Sequence, residues 1–261
     1  MYAIELDDFD IEQIAQSGQC FRINKTGDNR WTIIAFSRKL NVFQFGTHCG
    51  FDCSEDEFLE IWYDYFDLQT DYSKIKQMVK NTGDNYLINA VNFGYGVRVL
   101  RQDIWEMVVS YIISQQNNIT RIKNIIERIC QPFSDKFPTA IDLQNYTILD
   151  FQNLGLGYRA KFLFEMVQNV VNKKIILENL GTMPYDDLIQ YLKQFNGIGD
   201  KVANCIALFG LHKTEAFPID VWMRRIINTK YSGNFDYKQF GKFAGIIQQY
   251  MFFYERCGMK K

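Results

Sequence analysis

Short runs of β-branched and aromatic residues alternate with polar residues near the N-terminus. Residues 20–46 contain three such runs, CFRI, RWTIIAF and LNVFQF, which polar breaks at residues 26–29 and 37–39 separate. Apolar strands bounded by tight polar breaks are typical of β-hairpins. The pattern therefore predicts a meander of antiparallel strands.

From about residue 85 onward, apolar residues recur every three or four positions, which is the spacing of helices that bury one face. Ile104, Val108, Tyr111 and Ile112 form one such stripe, behind Asp103 at the position of a helix cap. The same spacing predicts helices over residues 119–130, 158–174, 185–194, 200–210, 220–229 and 236–254.

A helix also begins directly after the predicted strands, where Ser54 and Glu57 form a capping box ahead of FLEIWYDYF. The glycine-bearing segment 85–100 separates the two patterns. We therefore expect an α+β protein, with an antiparallel-sheet α/β domain over residues 1–90 and an all-helical domain over residues 91–261.

The charge is divided unevenly along the chain, although the total over 261 residues is only −1. Residues 1–90 carry 8 basic and 15 acidic side chains, a net charge of −7, and residues 91–261 carry 21 and 15, a net charge of +6. This asymmetry favours a polyanionic partner for the second half. The alternative is that an imbalance of this size has no function. The hydrophobic fraction of 47% excludes a disordered chain.

Six cysteines lack the spacing of a secreted disulfide framework. Cys49 and Cys53 lie near His48, but three ligands without a fourth make a poor zinc site, so we expect free thiols and no bound metal. We see neither a signal peptide nor an apolar stretch of 18 residues and expect a soluble, intracellular protein.

The richest chemistry lies in residues 195–225, where Gly197, Ile198 and Gly199 form a hairpin between two helical patterns. Glycines leave the backbone N–H groups of such a turn unhindered. Those donors and the positive end of the following helix suit a phosphate oxygen. A plain helix–helix turn explains the same glycines.

Lys201 stands in the first turn of the next helix, where the helix dipole disfavours an ammonium and so favours a nucleophilic amine. Cys205 lies four residues on and shares its face. Asp220 follows Pro218 at a natural N-cap, and a fixed capping carboxylate can also stabilise developing positive charge. Arg224 then adds positive charge. A solvated lysine and a purely structural cap are the alternatives.

This segment resembles the helix-hairpin-helix, Gly/Pro–Asp superfamily of DNA glycosylases and, within it, the 8-oxoguanine DNA glycosylase family with a catalytic lysine. Lysine two residues after the second hairpin glycine, followed by Pro-x-Asp, is far more specific than the glycines alone. The resemblance covers nearly the whole chain, in the family's order. It also rests on SGQCFRI (17–23), GVRVLRQD (96–103), QNNITRI (116–122) and LGLGYRAKF (154–162).

The resemblance implies a TATA-box-binding-protein-like N-terminal domain and removal of 8-oxoguanine by base flipping, without a cofactor. Lys201 would attack the sugar C1′ and then cleave the strand by β-elimination. Asp220 would stabilise the oxocarbenium-like transition state. The resemblance also implies a base pocket of Gly18, whose carbonyl accepts the N7 hydrogen of 8-oxoguanine, Cys205 and Phe252, which sandwich the base, and Gln248, which recognises its Watson–Crick edge.

The implied contacts to double-stranded DNA are Gln116, Arg121, Tyr158, Arg159, Gly197, Gly199 and Arg224. Of these, Arg121, Tyr158 and Arg159 would fill the gap left by the flipped base and recognise the orphaned cytosine. Gln116 replaces the family's usual asparagine, which puts a strict preference for opposing cytosine in doubt. Trp222 and Ile104 are further departures, from a phosphate-contacting histidine and a proline.

Two other functions compete with this one. A glycosylase of the same fold for alkylated bases typically lacks the lysine, and a non-catalytic damaged-DNA-binding module needs neither Lys201 nor Asp220. We expect a monomer that binds duplex DNA containing oxidised guanine and makes no membrane contact.

Overall fold

A computed structural model describes residues 1–258 and shows an N-terminal antiparallel sheet followed by a helical region. The predicted fold class is confirmed. The strands are β1 (Tyr2–Glu5), β2 (Ile23–Gly27), β3 (Arg30–Ala35), β4 (Arg38–Phe45) and β5 (His48–Phe51). They form one sheet in the order β1-β5-β4-β3-β2, and every neighbouring pair is antiparallel.

The described helices number fourteen. They are α1 (Ile11–Gln16), α2 (Glu55–Glu57), α3 (Tyr63–Tyr65), α4 (Tyr72–Asn81), α5 (Asn85–Phe93), α6 (Ile104–Ile113), α7 (Ile119–Cys130), α8 (Ile148–Asn153), α9 (Arg159–Val171), α10 (Leu177–Leu180), α11 (Tyr185–Leu192), α12 (Asp200–Gly210), α13 (Val221–Tyr231) and α14 (Ala244–Phe253). Tighter 3₁₀ turns cover Gln131–Phe133 and Tyr237–Phe243, and wider π turns cover Phe58–Trp62 and Tyr254–Gly258.

The sheet is larger than the sequence pattern predicts. β1 and β5 have four residues each, too few for alternation to stand out, and their pairing aligns Tyr2 with Phe51. In β3 the alternation is clear, because Trp31, Ile33 and Ala35 are buried while the residues at positions 32 and 34 are partly exposed. The predicted first strand, residues 20–23, is displaced, and β2 starts only at Ile23.

The predicted helix over residues 236–254 is divided in two. Gly241 has φ 49° and ψ −125°, a conformation that only glycine adopts without strain. The 3₁₀ turn Tyr237–Phe243 is therefore kinked at Gly241, and α14 begins after it at Ala244.

Two clusters of buried apolar side chains stabilise the molecule. One lies between the sheet, α1 and residues 58–66, and the other fills the helical region from Tyr72 to Phe253. Phe21 of the sheet region joins the helical cluster, and Leu100 joins the sheet cluster. The predicted boundary near residue 90 stays a prediction, while α4 and α5 pack with the helices.

Gln19 joins the N-terminal segment to residues 96–103, which precede α6. Its Nε2 donates to the carbonyl of Arg98 at 2.7 Å, its Oε1 accepts from the N–H of Leu100 at 2.7 Å, and its carbonyl accepts from Nε2 of Gln102 at 3.0 Å. These three hydrogen bonds satisfy buried polar groups of Gln19 and of its partners, which would otherwise lack them. Gly18, the neighbour of Gln19, is thereby held against the helical region.

The described residues give no sign of a membrane span or a metal centre. Between residues 1 and 258, no helix combines the length and the apolar character that crossing a bilayer needs. In the same range no three His, Cys, Asp or Glu side chains are grouped to hold a metal ion. The six cysteines are free, and burial raises the pKa of Cys49 to about 12.

Glu106 makes stability depend on pH. It is buried in α6 with its Oε2 3.8 Å from Nη1 of Arg22. Burial raises the pKa of Glu106 from 4.5 to about 7, although the Arg22 charge opposes the shift. Since the folded state then holds a proton that the unfolded state releases, the free energy of unfolding should fall as pH rises from about 4.5 to about 7.

Glu106→Gln removes this titration. The unfolding free energy of the variant minus that of the parent should be about 2 kcal/mol larger at pH 8 than at pH 5. Urea denaturation of both proteins at the two pH values measures the change, and the exposed Glu60→Gln serves as control. An equal difference between variant and parent at pH 5 and pH 8 would contradict the prediction.

Candidate active site

The helix α12 carries the candidate nucleophile at its N-terminal end. Gly199 caps the helix in an extended conformation, and Lys201 is its second residue. The Nζ of Lys201 donates to Oγ of Ser114 at 2.9 Å and lies 5.2 Å from the ring centroid of Tyr111. Ser114 donates its own hydroxyl to the carbonyl of Tyr111 at 2.9 Å, so it offers only lone pairs to the lysine. The amine is thus held in one place by two groups at the end of α6.

The carboxylate comes from α13. Asp220 is its N-cap, and the Oδ1 accepts from the N–H of Met223 at 2.8 Å. Burial raises the pKa of Asp220, while that hydrogen bond and the nearby Lys201 charge lower it in part. The capping prediction is confirmed, and the carboxylate lies within electrostatic reach of the lysine.

Cys205 joins these two residues. It is buried one turn after Lys201, and burial raises the pKa of its thiol to about 11 despite the Lys201 charge. The thiol is therefore protonated near neutral pH, so it offers soft apolar surface and no competing nucleophile. An amine, a carboxylate and a neutral thiol thus lie close together.

Gly18 and Phe252 lie together although they come from opposite ends of the chain. Gly18 has φ +79°, and a Cβ at that position would lie 3.0 Å from Cε1 of Phe252 and 3.0 Å from Nη1 of Arg256. Only glycine combines this conformation with so close an approach. The structure therefore brings Gly18 and Phe252 together, as the resemblance implies.

Gln248 connects α14 to the segment that carries the carboxylate. Its side chain is buried, and Nε2 donates to the carbonyl of Pro218 at 3.2 Å, two residues before Asp220. Its Oε1 accepts from Nε2 of the adjacent Gln249 at 2.9 Å. Gln249 was missed by the sequence reasoning, because adjacent residues of a helix normally face different directions.

The hairpin glycines differ in what they provide. Gly197 has φ +85°, and a Cβ there would lie 2.5 Å from Cγ of Phe162, so this position requires glycine. Gly199 has open space around it and leaves the start of α12 uncovered. The free N–H groups at that helix start suit an anion.

Gln115 forms hydrogen bonds that link three segments predicted to contact DNA. Its Nε2 donates to the carbonyl of Gly197 at 2.9 Å, and its own carbonyl accepts from Nε of Arg159 at 2.6 Å and from the hydroxyl of Tyr158 at 3.4 Å. The adjacent Gln116 has φ 45° and an exposed side chain. Neither the role of Gln115 nor that of Ser114 is visible in the sequence, since their partners lie more than 40 residues away.

Arg159 is 3% exposed, and its donors are directed to backbone carbonyls. It donates to Gln116 at 3.0 Å and to Leu156 at 3.2 Å, as well as to Gln115. Its guanidinium therefore supports the loop in the described conformation. The predicted contact of Arg159 with an orphaned base stays a prediction.

Tyr158, Arg121 and Arg224, which the resemblance assigns to the DNA interface, are all exposed. Tyr158 is 51% exposed, with the guanidinium of Arg159 4.5 Å from its ring centroid. Arg121 and Arg224 are exposed on α7 and α13. Exposed cations suit a phosphate backbone, and an exposed aromatic ring suits an unstacked base.

Comparisons with known proteins match both parts of the chain. Residues 1–108 match the family described as 8-oxoguanine DNA glycosylase, N-terminal domain. Residues 109–240 match the HhH-GPD superfamily of base excision DNA repair proteins.

Individual relatives agree with these matches. An N-glycosylase/DNA lyase of Saccharomyces cerevisiae is 34% identical over 158 residues, which cover 52% of this chain and 42% of the yeast protein. The solved structure of MBOgg1 in complex with a low affinity DNA ligand has a TM-score of 0.93 and 34% identity, covering 99% of this chain and 96% of that chain.

The Clostridium acetobutylicum 8-oxoguanine glycosylase/lyase, solved with double-stranded DNA containing cytosine opposite 8-oxoguanine, has a TM-score of 0.89 and 32% identity. That match covers 97% of this chain and 94% of the other. The match to the yeast protein therefore spans less than half of that protein, whereas the matches to both solved chains are nearly complete.

Proposed function

Because the chain belongs to the 8-oxoguanine DNA glycosylase family, we propose that it removes 8-oxoguanine from duplex DNA and then cleaves the strand as a DNA lyase. The observation that carries this proposal is the convergence of Lys201 and Asp220 at the first turns of α12 and α13. A reaction at the sugar carbon of a nucleotide that is stacked in the duplex requires that nucleotide to be flipped out first.

In the proposed reaction, the Lys201 ammonium first loses a proton to water, and the resulting amine forms a bond to C1′ while the bond from C1′ to N9 of the base breaks. The base leaves with the electron pair of that bond and takes up the proton that the amine loses. Opening of the sugar ring gives an imine between Lys201 and C1′. Loss of a C2′ proton then expels the 3′ phosphate, and water releases the enzyme from the sugar.

Asp220 stabilises the step in which C1′ becomes electron-poor. Its carboxylate is fixed by the N–H of Met223 in a partly buried position, where an oriented charge has a larger effect than in water. Ser114 and the ring of Tyr111 keep the amine in position before the attack.

Lesion recognition combines residues from both ends of the chain. Gly18 offers its carbonyl to the N7 hydrogen that 8-oxoguanine has and guanine lacks. Ordinary guanine would leave that acceptor unpaired, which disfavours its binding. Cys205 and Phe252 sandwich the base, and Gln248 contacts its Watson–Crick edge.

The DNA surface comprises the hairpin, the Gln116 loop and the segment around Tyr158. Gly197 and Gly199 present backbone N–H groups to phosphate, Arg121 and Arg224 add charge, and Tyr158 fills the gap in the stack. Arg159 holds the carbonyls of Gln115 and Gln116 and so fixes the loop that faces the opposite strand.

Single-turnover base release from duplexes with 8-oxoguanine opposite each of the four bases tests the function. We expect release from all four duplexes, with rates that differ by less than about tenfold, since Gln116 stands where the family has asparagine. Duplexes with 3-methyladenine should remain intact. Release of 3-methyladenine alone would favour an alkylated-base glycosylase, and tight binding without release would favour a binding module.

A further inference from the structure

Two adjacent buried glutamines form a hydrogen-bonded chain behind the candidate base pocket. Gln248 and Gln249 are each 3% exposed on α14. Gln249 donates from Nε2 to Oε1 of Gln248 at 2.9 Å, and Gln248 donates from Nε2 to the carbonyl of Pro218 at 3.2 Å. The Oε1 of Gln249 is buried without a partner among the described residues.

The direction of this chain follows from its end at Pro218. A backbone carbonyl only accepts hydrogen bonds, so it holds the NH₂ group of Gln248 and turns Oε1 of Gln248 towards Gln249. Gln249 must then present its own NH₂ group, because the opposite orientation would set two carbonyl oxygens against each other. The orientation of both amides is therefore determined.

Stability does not explain the amide of Gln249. A buried carbonyl oxygen without a partner destabilises the folded state, whereas an apolar side chain of similar shape carries no such cost. The one hydrogen bond that the Gln249 side chain makes in the described structure goes to Gln248. The contribution of Gln249 thus lies in what it does to its neighbour.

We propose that Gln249 is a positioning residue that fixes the amide of Gln248 and thereby selects a guanine-type Watson–Crick edge over an adenine-type edge. This inference rests on the proposed function of the site. Gln249 makes no contact with the base and acts through Gln248.

The selection follows from the hydrogen-bonding groups of Gln248 that Gln249 and Pro218 leave unused. Its Oε1 keeps one lone pair beside the bond from Gln249, and its Nε2 keeps one N–H beside the bond to Pro218. Guanine and 8-oxoguanine present the acceptor O6 beside the donor N1–H, whereas adenine and 8-oxoadenine present these groups in reverse order, the donor N6–H beside the acceptor N1. Without Gln249, the Gln248 amide loses one of the two bonds that orient it and can present its NH₂ group to that acceptor.

8-Oxoguanine and 8-oxoadenine form a matched pair of substrates for this test. Both have the 8-oxo group and the N7 hydrogen, so Gly18 does not distinguish them, and they differ at the Watson–Crick edge. Single-turnover base release is measured for both lesions opposite cytosine, with the full chain and with Gln249→Met and Gln249→Leu.

We expect the parent to release 8-oxoguanine faster than 8-oxoadenine. In both variants the ratio of the 8-oxoguanine rate to the 8-oxoadenine rate should fall about tenfold, which corresponds to the free energy of one neutral hydrogen bond. Methionine matches the unbranched shape of glutamine, and leucine provides a second fold-preserving choice. Met251→Leu, a buried change on the same helix without a donor, should keep the parental ratio.

A ratio within about twofold of the parent in either folded Gln249 variant overturns the inference, because a purely structural role lowers both rates together. Thermal unfolding shows which variants are folded. Release of neither lesion by the parent would overturn the proposed function itself. A parent that releases 8-oxoguanine, with variants that discriminate equally well, would leave that function standing and overturn only the role of Gln249.

Discussion

Lys201→Gln should abolish covalent trapping of the protein on 8-oxoguanine DNA by borohydride and lower base release by about 10³-fold or more. Glutamine has no amine, so it forms no imine for borohydride to reduce. Its side-chain amide can still donate to Oγ of Ser114, which keeps the local packing of α12 against the end of α6. Affinity for the lesion duplex should therefore stay within about threefold of the parent, since phosphate contacts dominate DNA affinity.

The two readouts separate the role of the nucleophile from that of a DNA contact. Lys193→Gln provides the matched control, because Lys193 also lies beside the hairpin, where its Nζ pairs with Oδ1 of Asp200 at 2.5 Å. We expect borohydride to trap the Lys193→Gln variant on the DNA to the same extent as the parent. Persistent trapping by the Lys201 variant would show that another amine attacks the sugar.

Asp220→Asn should lower base release by about 10²- to 10³-fold, because an amide cannot neutralise positive charge developing at C1′. The fold should remain, since asparagine caps helices as well as aspartate does and can accept from the N–H of Met223. Asp71→Asn is the matched control, as Asp71 caps α4 through the N–H of Lys74 at 3.2 Å and lies outside the site.

The pH profile distinguishes charge stabilisation from capping. Burial raises the pKa of Asp220, and the carboxylate form is required, so base release by the parent should fall with acidification at a pH above the usual range of aspartate. The Asn variant should lose this acidic limb. A variant that keeps both the parental rate and the acidic limb would exclude Asp220 from the chemistry.

The helical region was largely predictable because its signals are local. Periodic apolar residues mark α6, α7 and α12, and Asp103 and Asp220 cap helices as their sequence positions predict. Spacing along a helix also determines that Cys205 lies one turn from Lys201. These features depend on a few consecutive residues, so they can be predicted from the local sequence.

Other elements were not predictable for an equally physical reason. β1 and β5 are too short to show alternation, and they become strands because each finds a partner in the sheet. The break at Gly241 is a backbone conformation that apolar spacing does not record. The burial of Arg159 depends on carbonyls of a distant loop.

The chemical groups of the site can be identified from local sequence: an amine after a glycine hairpin, a capping carboxylate and a glycine near the N-terminus. Tertiary structure alone decided which groups meet. Ser114 reaches Lys201, Gln115 joins the hairpin to Tyr158, and Gln249 orients Gln248 against Pro218. Most of these contacts join segments far apart in the chain, and all depend on side-chain packing, which no local pattern encodes.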